Sequence, residues 1–201
     1  MPTFRPATPD DATDLALLLD IASRRLVSWR WSTMAQPGQS WFEVGRARIL
    51  TLTDNQAHHA NWLVAEEDGQ SVGALNAHPV QDTVQDTVQD TVQDTDLSTL
   101  DPVFHPLVHL ELLAAGTFYI MAAAVFAEHR GRGVGTALLD KAADMAQASG
   151  HTRLSLITES FNDGARRLYH RYGFQDLDRR PFVAFPTSNE AGDWTLMIKT
   201  L

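Results

Sequence analysis

The stretch EHRGRGVGT, residues 128–136, decides the interpretation of this chain, because it places three glycines within five positions. An apolar run ends just before it and a helical pattern begins inside it, so the predicted setting is a strand-to-helix turn. Glycines there let backbone N–H groups converge, and a helix N-terminus adds partial positive charge. The stretch therefore predicts an anion site that suits a diphosphate, the alternative being a turn that only permits tight packing.

Two familiar phosphate loops do not match this stretch. A P-loop needs Lys followed by Ser or Thr directly after its last glycine, whereas Gly135 is followed by Thr136 and Ala137. A dinucleotide fingerprint needs Gly or Ala where Thr136 or Leu138 stands. The anion site must therefore belong to another class of fold.

The segments on either side of the glycine stretch predict a parallel crossover. The continuous apolar run at 118–125 is typical of a strand covered on both faces, and apolar positions then recur at helical spacing up to Gly150. A second strand is predicted over 153–158. Strand, helix and strand in this order imply parallel pairing within an α/β fold that has a mixed sheet.

Further elements are predicted on both sides of this crossover. Towards the N-terminus the patterns give a short strand, one helix over about 10–28, a helix that begins near Ser40, and a hairpin turning at Asp68-Gly69. A short helix is predicted over about 106–115. Towards the C-terminus, Asn162 can cap a helix, and two late strands follow.

Residues 80–95 consist of four copies of Val-Gln-Asp-Thr. Four residues are too few for a repeat-protein unit, and Val, Asp and Thr are weak helix formers. We predict an acidic surface insertion without a catalytic role, with an ordered helix or an interaction arm as alternatives.

Composition limits the function classes. The 201 residues carry a net charge of −9, which argues against broad binding to nucleic acid, and the 44% hydrophobic content supports a globular fold. The absence of Cys excludes disulfides and thiolate sites and suits a reducing compartment, so the cytoplasm is expected. No apolar run is long enough to span a membrane, and we expect one domain over 1–201.

Two linked motifs give a family resemblance. Arg130-x-x-Gly133-x-Gly135 resembles the acyl-CoA pyrophosphate loop of GNAT superfamily N-acetyltransferases. Downstream, NxxAxxLYxxxGF over residues 162–174 is similar to the second signature of that superfamily. The resemblance implies a mixed, mostly antiparallel central sheet flanked by helices, with a strand-helix-strand core that binds acyl-CoA.

The resemblance also implies site residues and a cofactor. Acetyl-CoA would be the acyl donor, held by its pantetheine arm on the strand end, by its pyrophosphate in the loop, and near its sulfur by Tyr169. The cofactor-binding residues implied in this way are Ala123, Ala124, Val125, Arg130, Gly131, Arg132, Gly133, Val134, Gly135, Thr136, Asn162 and Tyr169. On a helix that starts near Asn162, positions 162, 165, 166 and 169 share one face, which agrees with this role of Tyr169.

Attack of an amine on a thioester needs a neutral amine, a stabilised oxyanion and a protonated thiol. Tyr169 can protonate the departing thiolate, whereas the strand at 118–125 carries no carboxylate to act as base. Glu111 is our first candidate base and Glu159 the second, and a water relay stays open. The histidines, including His58 and His59, show no metal-site spacing, so no metal is expected.

The sequence thus predicts an acetyl-CoA-dependent N-acetyltransferase that acts by direct attack in a ternary complex. Its acceptor would be a primary amine: a small cationic molecule, an amino acid, or a protein lysine or N-terminus. The alternative is a non-catalytic acyl-CoA-binding regulatory module. We expect neither a nucleic acid nor a membrane as partner, and a homodimer is one option for the oligomeric state.

Overall fold

The computed structural model describes residues 2–80 and 100–201. Most of the 80–95 repeat, which we predict to be an acidic insertion, lies outside the described residues. The strands are β1 (Thr3–Pro6), β2 (Trp62–Glu67), β3 (Gln70–Pro79), β4 (Phe118–Val125), β5 (Arg153–Glu159), β6 (Gln175–Pro181) and β7 (Asp193–Thr200). The helices are α1 (Ala12–Ala22), α2 (Leu26–Ser32), α3 (Trp41–Thr51), α4 (His105–Leu113), α5 (Val134–Ala148) and α6 (Asp163–Tyr172).

The strands form a seven-stranded sheet in the order β1-β2-β3-β4-β5-β7-β6. Strands β4 and β5 run parallel with Phe118 opposite Leu154, and α5 is the crossover between them. The pairs β1–β2, β2–β3, β5–β7 and β7–β6 are antiparallel. The predicted mixed, mostly antiparallel sheet is confirmed.

The hairpin between β2 and β3 turns where the sequence predicts. Asp68 has φ of 50° and Gly69 has φ of 75°, so both central residues take the left-handed backbone that a two-residue hairpin turn requires. An Asp-Gly pair tolerates this backbone better than most residue pairs.

The single helix predicted over 10–28 is wrong, because the chain forms two helices there. Arg24 and Arg25 have φ of 47° and 76° and interrupt the helical backbone. The Asp20 carboxylate then accepts a hydrogen bond of 3.1 Å from the backbone N–H of Ser28, in the first turn of α2. This local bond stabilises the break, although the apolar spacing continues through it.

The described residues form two compact units, and β4 contributes residues to both. The first unit comprises Met1–Ala77, Met121–Lys141 and Pro186–Ser188. Its core joins α1 and α3 to the strands through buried residues such as Leu15, Leu18 and Ile49. In α3, a Cβ on Gly45 would overlap the Trp31 ring, so this glycine provides room for the indole.

The second unit comprises His78–Ile120, Ala142–Phe185 and Asn189–Leu201. Its core includes the fully buried Leu154 and Leu196, and α4 packs on β5, β6 and β7. The buried hydroxyls of Thr117 and Ser155 share a hydrogen bond of 2.6 Å between the start of β4 and β5. That the whole chain 1–201 is a single domain stays a prediction.

Candidate active site

The glycine loop, residues 126–133, connects β4 to α5 in the first unit. Gly131 and Gly133 have φ of 73° and 86°, a backbone that other residues rarely adopt. A Cβ built on either glycine meets no atom within 4 Å, so the space beside both positions is open. The loop therefore has a backbone that favours glycine and the free space that a bound anion needs.

The first turn of α5 directs backbone donors at the end of this loop. The first backbone bond of the helix runs from the N–H of Ala137 to the carbonyl of Gly133 at 3.0 Å. The N–H groups of Val134, Gly135 and Thr136 precede that bond and have no acceptor within the helix. Such groups at a helix N-terminus suit a phosphate or diphosphate.

The two arginines of the loop already have protein partners. Arg130 donates its Nε–H to the carbonyl oxygen of Val125 at 3.0 Å, which closes the loop on the strand it leaves. Arg132 forms a 2.8 Å ion pair with Glu67 and contacts the His129 ring at 3.2 Å, while its side chain stays 55% exposed. Arg130 thus stabilises the loop, and Glu67 neutralises part of the Arg132 charge.

The end of β4 is set by close contact with β3. A Cβ on Gly73 would lie 2.6 Å from the Ala124 carbonyl oxygen, so only glycine fits there. The N–H of Phe126 donates to the Val72 carbonyl at 3.0 Å. Ala123 and Val125 alternate with the buried Ala124 and are half-buried, so the strand end predicted to hold the pantetheine arm is partly accessible.

Asn162 caps α6 in the second unit, as the sequence predicts. Its side-chain oxygen accepts from the N–H of Ala165 at 3.5 Å, and its amide nitrogen donates to the Glu159 carboxylate at 3.4 Å. Glu159 is only 3% exposed, so this carboxylate lies in the protein interior at the end of β5. Asn162 therefore links the start of α6 to a buried acid.

Tyr169 lies on the same helix, two turns beyond this cap. The residue is half-buried, and its ring meets Phe174 edge-on at a centroid distance of 5.9 Å. Burial of the hydroxyl, with the nearby charge of Glu159, raises the pKa of Tyr169 to about 12. At neutral pH the hydroxyl is therefore protonated and can donate.

Glu111 and Tyr119 are brought together in the second unit. Glu111 lies on α4 and is an exposed residue, and its carboxyl group interacts with the Tyr119 hydroxyl. Desolvation of the carboxyl group raises the pKa of Glu111 to about 6, although the interaction with Tyr119 acts in the opposite direction. Burial, together with the charge of Glu111, raises the pKa of Tyr119 well above its usual value.

The side chains of Glu111, Tyr119, Tyr169 and Glu159 form one electrostatically coupled set, here called the tyrosine cluster. Tyr169 contributes to the raised pKa of Tyr119, and Glu159 contributes to that of Tyr169. The arrangement combines proton donors with carboxylates that can accept a proton. At neutral pH it therefore holds a proton donor, Tyr169, and a proton acceptor, Glu111.

The glycine loop and the tyrosine cluster both lie within the part of the chain that matches a known family. The sequence model described as Acetyltransferase (GNAT) family matches residues 24–174, which is more than half of the chain. The chain belongs to the GNAT acetyltransferase family. The resemblance that the two motifs carry is thus confirmed, and the match covers the glycine loop and the tyrosine cluster of this GNAT protein.

Solved structures agree with the GNAT fold. The polyamine N-acetyltransferase of Drosophila melanogaster, which catalyses formation of N-acetylagmatine, is 14% identical over 100% of both chains at a TM-score of 0.67. The ribosomal-protein-alanine N-acetyltransferase of Brucella melitensis is 20% identical over 99% of both chains at 0.62. A Salmonella typhimurium protein solved with its cofactor acetyl-CoA is 18% identical over 100% of this chain and 94% of that one at 0.59. At these identities the likeness shows the fold alone.

No curated protein matches the sequence at a significant level. Within residues 2–80 and 100–201, no group of three or more His, Cys, Asp or Glu side chains is arranged to hold a metal ion. In the same part of the chain, no helix is both long and apolar enough to cross a membrane.

Two residues, one in the tyrosine cluster and one beside it, are not among the site residues that the sequence predicts. Tyr119 is the one ionisable side chain in the apolar strand FYIMAAAV, which is a signal that could have been used. His78, at the end of β3, meets the Tyr119 ring edge-on at 5.7 Å, and burial lowers its pKa. Its Nδ1 is buried without a partner among the described residues, and no local pattern predicts this placement.

Proposed function

We propose that this GNAT protein is an N-acetyltransferase that transfers the acetyl group of acetyl-CoA to a primary amine. The amine attacks the thioester carbonyl directly, the C–N bond forms, and the C–S bond breaks. Tyr169 donates its proton to the departing thiolate. Before the attack, the substrate ammonium must lose a proton, and Glu111 accepts it.

The observation that carries the proposal is the open glycine loop in front of α5, in a chain that belongs to the GNAT family. The protonation states of Tyr169 and Glu111 agree with the two roles assigned to them. With a pKa of about 12, Tyr169 is a proton donor at neutral pH, and with a pKa of about 6, Glu111 is an ionised acceptor there. Opposite environments of two titratable groups are how acid and base roles are separated in enzyme sites. An alkylammonium with a pKa of about 10.4 needs such an acceptor at neutral pH.

The glycine loop supports acetyl-CoA as the donor. The open space at Gly131 and Gly133 and the N–H groups of Val134, Gly135 and Thr136 would hold the pyrophosphate through the backbone. The half-buried strand positions Ala123 and Val125 would receive the pantetheine arm. A structural neighbour with the same fold was solved with acetyl-CoA, which is in line with this assignment.

The acceptor class rests on charge. The chain carries a net charge of −9, which favours a cationic acceptor such as a polyamine-like amine or a protein lysine. Neighbours of the same fold acetylate a polyamine and a ribosomal-protein alanine, so both chemistries belong in a substrate screen.

Thiol release tests the proposal. The purified chain is incubated with acetyl-CoA and a panel of agmatine, spermidine, free lysine, a lysine peptide and a peptide with an N-terminal alanine. We expect amine-dependent release of free CoA thiol and an acetylated product by mass spectrometry. Tight acetyl-CoA binding by calorimetry without thiol release for any amine would instead identify a non-catalytic acyl-CoA-binding module.

A further inference from the structure

The two arginines of the glycine loop differ in their contacts. Arg130 donates to the end of the preceding strand, where its Nε lies 3.0 Å from the Val125 carbonyl oxygen. Arg132 stands between Gly131 and Gly133, beside which the space is open, and its side chain is 55% exposed. Arg132 is therefore the arginine that is placed to add charge to an anion site at the start of α5.

The guanidinium of Arg132 already has protein partners at both terminal nitrogens. Its Nη2 lies 2.8 Å from a carboxylate oxygen of Glu67, and its Nη1 lies 3.2 Å from Nδ1 of His129. Arginine only donates hydrogen bonds, so the His129 nitrogen accepts. These contacts occupy the end of the guanidinium that binds phosphate groups in pairs of parallel hydrogen bonds.

Glu67 is the more firmly placed member of the ion pair. It is the last residue of β2 and pairs with Gln70 across the hairpin turn. Its side chain is 18% exposed, against 55% for Arg132. The preceding acid, Glu66, is paired with Arg5 at 2.8 Å, so the two acids of this strand end have separate partners. A carboxylate that is mostly withdrawn from water needs a compensating charge, which Arg132 supplies to Glu67.

A bound phosphate and the Glu67 carboxylate require the same group. Both are anions whose oxygens accept hydrogen bonds from a guanidinium. When Arg132 turns to a phosphate, Glu67 loses its counter-charge while its own position stays fixed by the hairpin. The free energy of that loss is subtracted from the free energy of phosphate binding.

We propose that Glu67 is a positioning residue: it holds Arg132 on the hairpin and thereby lowers the affinity of the glycine loop for the phosphates of acetyl-CoA. The proposal rests on the proposed function, which places the pyrophosphate at this loop. The product CoA carries the same phosphates as acetyl-CoA. Glu67 therefore weakens the binding of donor and product by the same factor, which favours release of CoA after each transfer.

Glu67→Gln tests the competition by calorimetry. The amide has the size of the carboxylate but no charge, so Arg132 is released to the anion. We expect acetyl-CoA and CoA each to bind about two- to fivefold more tightly than to the wild type. Loss of folded structure would weaken binding, so it cannot produce this gain.

Asp68→Asn is the matched control for the charge. It removes one negative charge from the next residue of the same hairpin, and Asp68 is exposed. Its backbone has φ of 50°, which Asn tolerates as well as Asp does. Because an exposed charge is screened by salt, we expect the acetyl-CoA affinity of this variant to stay within about 1.5-fold of the wild type.

The Arg132→Ala background tests whether Glu67 acts through Arg132. In that background Glu67→Gln has no arginine to release, so its gain in acetyl-CoA affinity should shrink to the size of the Asp68→Asn effect. Kinetics give a further readout with the best amine of the panel. The KM for acetyl-CoA should fall in Glu67→Gln, whereas the KM for the amine should stay unchanged.

The outcomes separate this proposal from the proposed function. If the wild type binds no acetyl-CoA, the proposed function fails, and this proposal fails with it. If the wild type binds acetyl-CoA and Glu67→Gln binds it equally or more weakly, the competition is wrong and the acetyltransferase stands.

Two further results would overturn the competition while leaving the acetyltransferase in place. An equal gain with and without Arg132 would mean that Glu67 only repels the anion through space. A gain for acetyl-CoA without one for CoA would mean that Glu67 acts on the acetyl end and not on the phosphates.

Discussion

The glycine loop and the tyrosine cluster are built in opposite ways. The loop consists of neighbouring residues, and its binding groups are backbone N–H groups whose placement depends on Gly131 and Gly133. The cluster takes side chains from α4, β4, β5 and α6, and none of its members is a sequence neighbour of another. Substitutions outside the glycines leave the binding groups of a backbone site in place. In a site built from side chains, each substitution removes or replaces one of the binding groups.

The two constructions also serve different steps. Backbone N–H donors keep the same partial positive charge at every pH, which suits the binding of a permanently anionic group. The cluster works by protonation states that burial has shifted, with pKa values of about 6 for Glu111 and about 12 for Tyr169. We therefore expect cluster variants to change turnover and its pH profile, and loop variants to change acetyl-CoA affinity.

Tyr169→Phe should give the largest effect, and it should appear in turnover alone. The substitution keeps the ring against Phe174 and removes only the hydroxyl, so kcat should fall by ~10²–10⁴ while acetyl-CoA affinity stays unchanged. Protonation of the thiolate by solvent, favoured by a thiol pKa of about 8.5, sets a lower bound of about tenfold. Steady-state kinetics and calorimetry measure the two quantities separately.

Tyr172→Phe is the control for this experiment, because it makes the same change on the same helix. If Tyr169→Phe keeps the wild-type kcat from pH 6 to 9 while chemistry limits the rate, Tyr169 is not the acid. If Tyr169→Phe also lost acetyl-CoA affinity, the tyrosine cluster would be part of the cofactor-binding region. The division between a loop that binds and a cluster that catalyses would then be wrong.

Gly135→Val should give the next largest effect, and it should appear in affinity. The branched side chain would stand in the first turn of α5 beside the backbone donors, so acetyl-CoA affinity should fall at least ~10-fold, or about 1.4 kcal/mol. Isothermal titration of the folded variant measures this. Gly164→Val is the matched control, because Gly164 is also the second residue of a helix and a Cβ there meets no atom within 4 Å.

An affinity in Gly135→Val equal to that of the wild type would contradict a backbone-built site. Equal losses at Gly135 and Gly164 would indicate that valine at this helix position weakens binding through the helix itself. Only a loss confined to Gly135 supports the first turn of α5, next to the glycine loop, as part of the pyrophosphate site.

The same contrast explains what the sequence could predict. The crossover, the hairpin turn and the Asn162 cap depend on residues within a few positions of each other, and the structure has all three. The break between α1 and α2 was missed, because the bond from Ser28 to Asp20 spans eight residues and leaves no trace in the apolar spacing.

The tyrosine cluster was only half predictable for the same reason. Tyr169 was predicted from a motif, and Glu111 from its place before the strand that lacks an acid. The interaction between Glu111 and Tyr119 depends on the packing of α4 and was not predicted. Side-chain contacts between distant elements follow from the packed fold, so local patterns do not contain them.

Arg132→Ala should have only a small effect on acetyl-CoA affinity. It compares the contribution of a loop side chain with that of the loop backbone. The side chain is 55% exposed and already paired with Glu67, so its contribution to anion binding is partly neutralised. We expect acetyl-CoA affinity to fall by about two- to fivefold, which is less than ~1 kcal/mol. Titration at low and high salt measures it. A loss larger than that of Gly135→Val would mean that side-chain charge, and not the backbone, dominates the loop.

The smallest effect is expected when residues 81–95 are replaced by a short Gly/Ser link. Val80 is kept, because its N–H donates to Thr117 at 2.9 Å and its carbonyl accepts from Gly116 at 3.1 Å. Halving a loop changes its closure free energy by only about 0.6 kcal/mol, so the melting temperature should move by about 2 °C.

Kinetic measurements on the same variant test whether the replaced segment has a role in the site. The segment lies between His78 and Glu111 in the chain, so if it contributes to the tyrosine cluster, the kcat of the variant will be lower. The acetyl-CoA affinity of the variant should equal that of the wild type. The variant also loses four aspartates. A higher KM for a cationic amine at unchanged kcat would therefore show that the repeat attracts the acceptor. That result would contradict the prediction that the repeat is a dispensable insertion.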